Sequence, residues 1–185
     1  PTLLGQVMQM FPNSSFAQGY GMTETAHISM LSPADHLEGG DLLRSAGRAL
    51  PHCEVKIVDP AGSELPPGEV GEIVTFGSHV MLGYWNKPKE TAEVLRSGWM
   101  HTGDAGYLDA RGYLFIVDRI KDMIVTGGEN VYSAEVEQVL AKHPGVRMCA
   151  VIGLPDDKWG ERVVAMIMPS DGHKPPQEEI IAHCR

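Results

Sequence analysis

The stretch FAQGYGMTETAH, residues 16–27, places two glycines, an aromatic ring, a hydroxyl and a carboxylate within six positions. Glycine lets a backbone approach a bulky ligand and leaves its amide N–H groups accessible, which suits a phosphate. The hydroxyl of Thr23 can donate to a phosphate oxygen, and the carboxylate of Glu24 is a hard ligand of the kind that Mg²⁺ prefers. The ring of Tyr20 can stack on a base. The alternative interpretation is a glycine-rich turn that leads into a helix.

Outward from this stretch, the pattern first predicts a helix over LLGQVMQMF that ends at Pro12–Asn13, and then a short strand from Ser15 to Gln18. Between Arg44 and Arg119 short apolar runs such as EVKIVD and EIVTFG alternate with turns, and Asp109 to Gly112 form the turn of a hairpin. KPKETAEVL predicts one short helix with Pro88 near its first turn. This region predicts an antiparallel, partly barrel-like sheet.

The pattern changes after Arg119. DMIVTGGENVY predicts a second hairpin that turns at Gly127–Gly128, and SAEVEQVLAKH predicts a helix with Ser133 as its N-cap. RMCAVIGL and RVVAMIMP predict two strands, and PPQEEIIAHCR predicts the beginning of an amphipathic helix. The expected fold class is therefore α+β: an antiparallel sheet region followed by the start of a small α/β domain.

Composition and charge narrow the class of protein. The net charge of −9 over 185 residues, with no basic stripe, argues against a nucleic-acid partner. No apolar run approaches the roughly 18 residues that cross a membrane, and no secretion signal is visible. Cys53, Cys149 and Cys184 are far apart and form no CxxC motif, so we expect free thiols in a reducing, cytoplasmic compartment rather than disulfides or a zinc site.

A second informative stretch is WMHTGDAGYLDARGYLFIVDRIKDMIVTGGENVYSAEVE, residues 99–137. Asp104 is expected in a glycine-flanked loop just before a hairpin, where a carboxylate can accept two hydrogen bonds from a ribose diol. Arg119 ends a predicted strand with a permanently charged planar fork that suits ribose or phosphate oxygens. The alternatives are a turn-capping aspartate and a surface ion pair.

Together these two stretches, with GEIVTFG, GYWNKPKET and AVIGLPDDKWGE, resemble the adenylate-forming acyl-CoA synthetases, a superfamily that includes firefly-type luciferases and peptide-synthetase adenylation domains. The resemblance implies that a carboxylic acid attacks the α-phosphate of ATP, releasing pyrophosphate and forming an acyl-adenylate. Coenzyme A then displaces AMP to give a thioester. ATP or AMP, Mg²⁺, coenzyme A and a carboxylic acid are the implied ligands.

The resemblance also implies roles for particular residues. Thr23 and Glu24 would be catalytic, with Glu24 binding Mg²⁺, Tyr20 would lie against the adenine, and Asp104 and Arg119 would hold the ribose hydroxyls. The whole implied nucleotide-binding set is Gly19, Tyr20, Gly21, Met22, Thr23, Asp104 and Arg119.

In this family a large domain and a small C-terminal domain meet at a hinge, which the resemblance puts at Lys121. Residues 1–120 would be the end of the large AMP-binding domain, and residues 121–185 would be an incomplete small lid domain. Gly127 and Gly128 would line the coenzyme A tunnel. From the residues alone, Lys121 can equally be a solvated lysine and the glycines a tight turn.

Four further positions fit the family with weaker implications. His27 follows the first motif where relatives often line the acyl pocket, although a position on a helix surface is the alternative. Tyr84 and Trp85 are interpreted as packing residues. Trp159 is assigned no role beyond packing.

Two features of the family are not found. The phosphate-binding loop rich in Ser, Thr and Gly has no counterpart, and Lys174, the last lysine, does not stand in the Gly-Lys setting of the family's C-terminal lysine. We therefore expect an inactive fragment of a longer ligase, with fatty or medium-chain acids as the parent's substrates. The alternatives are a non-catalytic nucleotide-binding or interaction module and a carrier-protein adenylation domain. The oligomeric state is left open.

Overall fold

The computed structural model describes residues 2–172 and 175–184, so Lys174 lies outside the described residues. The chain divides into two compact units, Pro1–Ile116 and Val117–Arg185. The domain boundary at Lys121 stays a prediction. No helix within the described ranges has the length and apolar character needed to cross a membrane.

The first unit is built mainly from short antiparallel strands. Its elements, in chain order, are α1 (Thr2–Met10), β1 (Gln18–Met22), β2 (Ala26–Leu31), α2 (Pro33–Glu38), a 3-10 helix (Gly40–Arg44), β3 (Arg48–Ala49), β4 (Glu54–Val58), β5 (Gly71–Phe76), α3 (Pro88–Val94), β6 (Leu95–Arg96), β7 (Trp99–Leu108) and β8 (Leu114–Arg119). The last three residues of β8 belong to the second unit.

These strands form two sheets. One has the order β1-β2-β3, and the other has the order β4-β5-β7-β6 with β8 paired to β7. The register between β5 and β7 shifts between Glu72 and Val74, and such a bulge increases twist and bends a strand. The expected antiparallel, partly barrel-like sheet is confirmed.

A close approach of two backbones joins the smaller sheet to the larger one. The amide of Ala46 donates to the Leu114 carbonyl at 2.7 Å, and the Leu114 amide donates to the Gly47 carbonyl at 2.8 Å. A Cβ at Gly47 would lie 1.9 Å from the carbonyl carbon of Met30, and its φ is +81°. Only glycine fits there, because a side chain would collide with the backbone of β2.

The second unit contains one antiparallel sheet of order β10-β9-β12-β11 and two helices. Its elements after β8 are a 3-10 helix (Ile120–Asp122), β9 (Ile124–Thr126), β10 (Glu129–Val131), α4 (Ser133–Leu140), β11 (Val146–Asp156), β12 (Gly160–Pro169) and α5 (Gln177–His183). Its core cluster is Ile124, Leu140, Val146, Val151 and Ile180. The predicted hairpin, helices and two long strands are confirmed.

The N-terminus of α4 differs from the prediction. Tyr132 is the N-cap residue and Ser133 is the first helical residue, with no cap from the side chain of Tyr132. Instead, Asp118 Oδ2 accepts from the Ser133 hydroxyl at 2.8 Å and from the Ala134 amide at 3.0 Å. A carboxylate from β8 therefore satisfies the helix end and complements its dipole.

We predict that Asp118→Ala lowers the free energy of unfolding of the second unit by about 1–2 kcal/mol, because the first turn of α4 loses its acceptor. Urea denaturation combined with amide hydrogen exchange over residues 133–140 measures this. Asp157→Ala, an exposed aspartate in the same unit, is the matched control. Equal protection of α4 in both variants would contradict the assignment.

A second carboxylate organises the first unit. Asp35 forms a capping box with Ser32 at the start of α2 and also accepts a 2.6 Å hydrogen bond from the Tyr113 hydroxyl. Tyr113 is fully buried and packs with Leu31 and Leu42. The Tyr113 hydrogen bond, followed by that of Ser32, lowers the pKa of Asp35 from 3.8 to about 2.

We predict that Tyr113→Phe raises the pKa of Asp35 from about 2 towards 3.8, as measured by carboxyl titration in NMR. A lowered folded-state pKa contributes stability above the unfolded-state value of about 4, and this is lost as the pH falls through the folded value. The variant should therefore be more destabilised at neutral pH than near pH 2. Tyr132→Phe, in the other unit, should leave the Asp35 titration unchanged.

Candidate functional site

The first motif forms a β-hairpin. β1 and β2 pair in antiparallel fashion, and the connection presents Thr23 exposed and Glu24 half-buried. The predicted strand from Ser15 to Gln18 is wrong, because the strand begins at Gln18 and includes the glycines. The alternative of a turn leading into a helix is also wrong, and His27 lies on β2 rather than on a helix.

Strand pairing explains one glycine of the motif and crowds the other. A Cβ at Gly21 would lie 1.8 Å from the Ala26 carbonyl oxygen, and one at Gly19 would lie 2.6 Å from Cδ2 of His27. The register also shifts between Tyr20 and Gly21, so the strand bulges at the motif. The hairpin backbone needs glycine at position 21, and the role of both glycines towards phosphate stays a prediction.

The structure brings the two informative stretches together. The Tyr20 hydroxyl donates a 2.7 Å hydrogen bond to Asp104 Oδ2, although the two residues are 84 positions apart. The Tyr20 ring packs against the buried cluster that contains Ile73 and Leu114. Ring packing holds the Tyr20 side chain in place, and its hydroxyl hydrogen bond orients the Asp104 carboxylate.

Asp104 lies within β7 rather than in the predicted glycine-flanked loop. The strand is irregular there: Gly103 has a φ of +73°, and its amide donates to Glu72 Oε1 at 3.2 Å. The Asp104 amide donates to the Thr102 hydroxyl at 3.1 Å. The carboxylate is therefore presented from a strand whose local backbone is held by side chains.

Glu24 is held by a loop from another part of the first unit. The Tyr84 hydroxyl donates to Glu24 Oε1 at 2.7 Å, and the Met81 amide donates to the Glu24 carbonyl at 2.8 Å. The hydrogen bond to Glu24, and then burial, raise the pKa of Tyr84, so the phenol keeps its proton at neutral pH. Tyr84 positions a carboxylate, a role that the packing interpretation missed. Trp85 is 90% exposed, so its packing interpretation is wrong.

The remaining predicted residues belong to the second unit. Arg119 ends β8 and Lys121 lies in the 3-10 helix that follows, both with exposed side chains. Gly127 and Gly128 form the β9–β10 turn with φ values of +61° and +86°, the conformation in which a two-residue hairpin favours glycine. This geometry does not test the proposed hinge role of Lys121 or the proposed tunnel role of the two glycines.

Comparison with known proteins gives two family matches in chain order. The AMP-binding enzyme family matches residues 1–85, which include the β1–β2 hairpin, and the AMP-binding enzyme C-terminal domain matches residues 135–185. Both matches concern the same class of enzyme, and they fall on either side of the long β7–β8 hairpin.

Individual relatives support the same family. A fatty acid–[acyl-carrier-protein] ligase of Streptomyces coeruleorubidus is 49% identical over 89% of this chain and 32% of its own length. A feruloyl-CoA synthase of an Amycolatopsis species is 48% identical over 92% of the chain and 34% of its own length. The solved o-succinylbenzoate CoA synthetase of Bacillus subtilis, in complex with its acyl-adenylate intermediate, has a TM-score of 0.85 at 40% identity, over 100% of this chain and 37% of that one.

The chain thus spans about a third of the length of the curated relatives that it matches. The two family matches, the high identities and the Tyr20–Asp104 contact between the two motifs all point the same way. The chain belongs to the adenylate-forming acyl-CoA synthetase superfamily of AMP-binding enzymes.

Proposed function

We propose that this chain is part of an ATP-dependent acid–thiol ligase, which converts a carboxylic acid and ATP to an acyl-adenylate and pyrophosphate and then forms a coenzyme A thioester and AMP. The single observation that carries the proposal is the 2.7 Å hydrogen bond from Tyr20 to Asp104 Oδ2. It puts the two stretches that were independently assigned to one nucleotide beside each other in the folded first unit.

The nucleotide is assigned to the residues around this hydrogen bond. The Tyr20 ring would lie against the adenine, and the Asp104 carboxylate would accept hydrogen bonds from the ribose hydroxyls. The resemblance adds Arg119 as a donor to the same hydroxyls. The Tyr20 hydroxyl is a neutral donor, so its hydrogen bond orients the Asp104 carboxylate without adding a charge. Gly19, Gly21 and Met22 complete the proposed nucleotide-binding strand.

The phosphates are assigned to the hairpin turn. Thr23 is exposed there and would donate its hydroxyl to a phosphate oxygen, while Glu24 fits Mg²⁺ because a carboxylate oxygen is the ligand type that this ion takes from proteins. The ion would neutralise phosphate charge when bound. The Tyr84 hydrogen bond would hold the Glu24 carboxylate in the orientation that this role requires.

The second step is assigned to the second unit. Lys121 would supply backbone torsional freedom at a hinge, as residues at element ends do in domain rotations. Gly127 and Gly128, at the exposed β9–β10 turn, would let the turn approach the narrow pantetheine arm of coenzyme A.

The proposed acids are fatty or medium-chain, and the proposed compartment is the cytoplasm. The name of the Streptomyces relative, a fatty acid ligase, supports fatty acids as the substrates. The same name gives an acyl-carrier protein, rather than coenzyme A, as the acceptor of the acyl group. A carrier-protein acceptor is therefore the nearest alternative. The net charge of −9 supports a protein that acts on small molecules rather than on nucleic acid.

We further propose that the 185 residues alone do not form acyl-adenylates. The family's phosphate loop and C-terminal lysine have no counterpart in the sequence, and loss of one charge-stabilising donor commonly costs about 100-fold or more in rate. The chain spans about a third of the length of each of these curated relatives, which supports the same proposal.

The test is acid-dependent ATP–pyrophosphate exchange by the full-length parent, with short, medium, long-chain and aromatic acids. We expect exchange with one acid class and a loss of about 100-fold or more in Glu24→Gln. Glu90→Gln, an exposed glutamate on α3, is the matched control and should be unchanged. Folded parent that binds ATP but exchanges with no acid would favour the non-catalytic module, and robust exchange by the 185-residue chain would overturn the inactivity proposal.

A second variant tests the arrangement around Glu24. Tyr84→Phe removes one hydrogen bond to the carboxylate, worth about 1 kcal/mol, so the parent's Mg²⁺ concentration for half-maximal exchange should rise about fivefold with less effect on the maximal rate. Tyr107→Phe, a half-buried tyrosine that stacks on Phe115, is the control. An unchanged Mg²⁺ dependence in Tyr84→Phe would remove Glu24 from metal binding.

A further inference from the structure

Three potential metal ligands from two segments of the sequence meet in the first unit. His52 and Cys53 precede β4, and His79 lies in the loop after β5. Each offers one ligand atom, and these atoms all lie within 4.8 Å of one another. Cys53 is buried, His79 is half-buried and His52 is exposed, so the group reaches from the interior to the surface.

The hydrogen bonds around His79 decide which ring nitrogen carries a lone pair. The Thr75 hydroxyl donates to the Glu54 carbonyl at 2.9 Å, so its oxygen is left to accept from His79 Nε2–H at 3.2 Å. With the proton on Nε2, Nδ1 is an acceptor. Nδ1 is buried and has no hydrogen-bond partner among the described residues. A ring oriented through one nitrogen, with the other unsatisfied, has the form of a metal-ligating histidine.

A glycine makes the convergence possible. Gly77 directly follows β5 and has a φ of +150°, and a Cβ there would lie 2.3 Å from the His52 carbonyl oxygen and 2.8 Å from His79 Nδ1. The imidazole rings of His52 and His79 meet edge to face, with centroids 5.5 Å apart. The loop after β5 can therefore approach the segment before β4 only because position 77 has no side chain.

The Cys53 thiol has a weak hydrogen bond of its own. Burial raises the pKa of Cys53, whose thiol donates to the His27 carbonyl at 3.7 Å. A metal ion bound by the sulfur would replace that weak hydrogen bond and release the thiol proton.

We propose that His52, Cys53 and His79 bind a zinc-type divalent transition-metal ion. One thiol and two imidazoles, with no carboxylate, select Zn²⁺ or its neighbours over Mg²⁺ or Ca²⁺. With Zn–N of about 2.0–2.1 Å and Zn–S of about 2.3 Å, tetrahedral ligand atoms stand about 3.3–3.6 Å apart, so the side chains converge by about 1 Å. Binding releases the Cys53 proton, and a water completes the tetrahedron.

The proposed ion would connect the segment before β4 to the loop that also contacts Glu24. Cys53 contacts the backbone of β2 at His27, and His79 belongs to the loop from which Met81 donates to the Glu24 carbonyl. The proposed metal site is formed only by His52, Cys53 and His79, so the proposal does not depend on the proposed nucleotide site. Its expected effect is to stabilise the loop of residues 77–84.

The test is titration of the purified, reduced and metal-free protein with Co²⁺, which reports a thiolate ligand by a charge-transfer band in the near ultraviolet and tetrahedral geometry by visible absorption. We expect one equivalent to saturate the band, Zn²⁺ to displace it, and Zn²⁺ to raise the melting temperature. Absence of the thiolate band at saturating Co²⁺ would overturn the proposal.

Variants identify the ligands. Cys53→Ser should abolish the band, and His52→Ala, which changes only an exposed side chain, should weaken Co²⁺ binding about tenfold or more without affecting the fold. Cys149→Ser, which alters a half-buried thiol in the other unit, should bind as the unmodified protein does. A band that survives in a folded Cys53→Ser protein, or unchanged affinity in His52→Ala, would contradict the assignment. The His52 variant keeps the test decisive if Cys53→Ser fails to fold.

Discussion

The first unit depends on the absence of one side chain, at Gly47. Since a Cβ at that position would lie 1.9 Å from the backbone of Met30, only glycine lets the segment after the 3-10 helix run between β2 and β8. There it exchanges two hydrogen bonds with Leu114, which satisfies backbone groups that burial would otherwise leave unpaired. The β1–β2 hairpin is thereby fixed against the larger sheet, and Tyr20 reaches the core and the strand that carries Asp104.

Local pattern was enough for much of this fold. Alternating apolar residues predicted β4, β5, β11 and β12, and the glycine pair predicted the turn between β9 and β10, because each of these signals lies within a few residues. The errors share a different cause. Ser133 was assigned as a cap although the acceptor comes from Asp118, and Tyr84 was assigned to packing although its hydroxyl serves Glu24, 60 positions earlier. Spacing along a sequence does not reveal partners that only the sheet topology brings together.

Three carboxylates of the first unit each accept a hydrogen bond from a tyrosine hydroxyl. Tyr113 holds Asp35, Tyr84 holds Glu24 and Tyr20 holds Asp104, at 2.6 to 2.7 Å. An arginine or lysine in these places would orient the carboxylate but also neutralise it. A protonated phenol orients the carboxylate without adding charge. At Asp35 the carboxylate completes the capping box of α2, and at Glu24 an oriented carboxylate is what a cation would require.

The loop of residues 77–84 links the two ligand sites that we propose. It carries His79 at one end and Tyr84 at the other, and between them Met81 donates its amide to the Glu24 carbonyl. An ion on His79 would restrict the same backbone that positions the Glu24 carboxylate, and the two proposed ligands would be coupled through this loop. Coupling of this kind is reciprocal, because each ligand must change the affinity for the other by the same factor. The sign follows from the geometry: a loop ordered for one ligand has less entropy to lose on binding the second, which makes the coupling favourable.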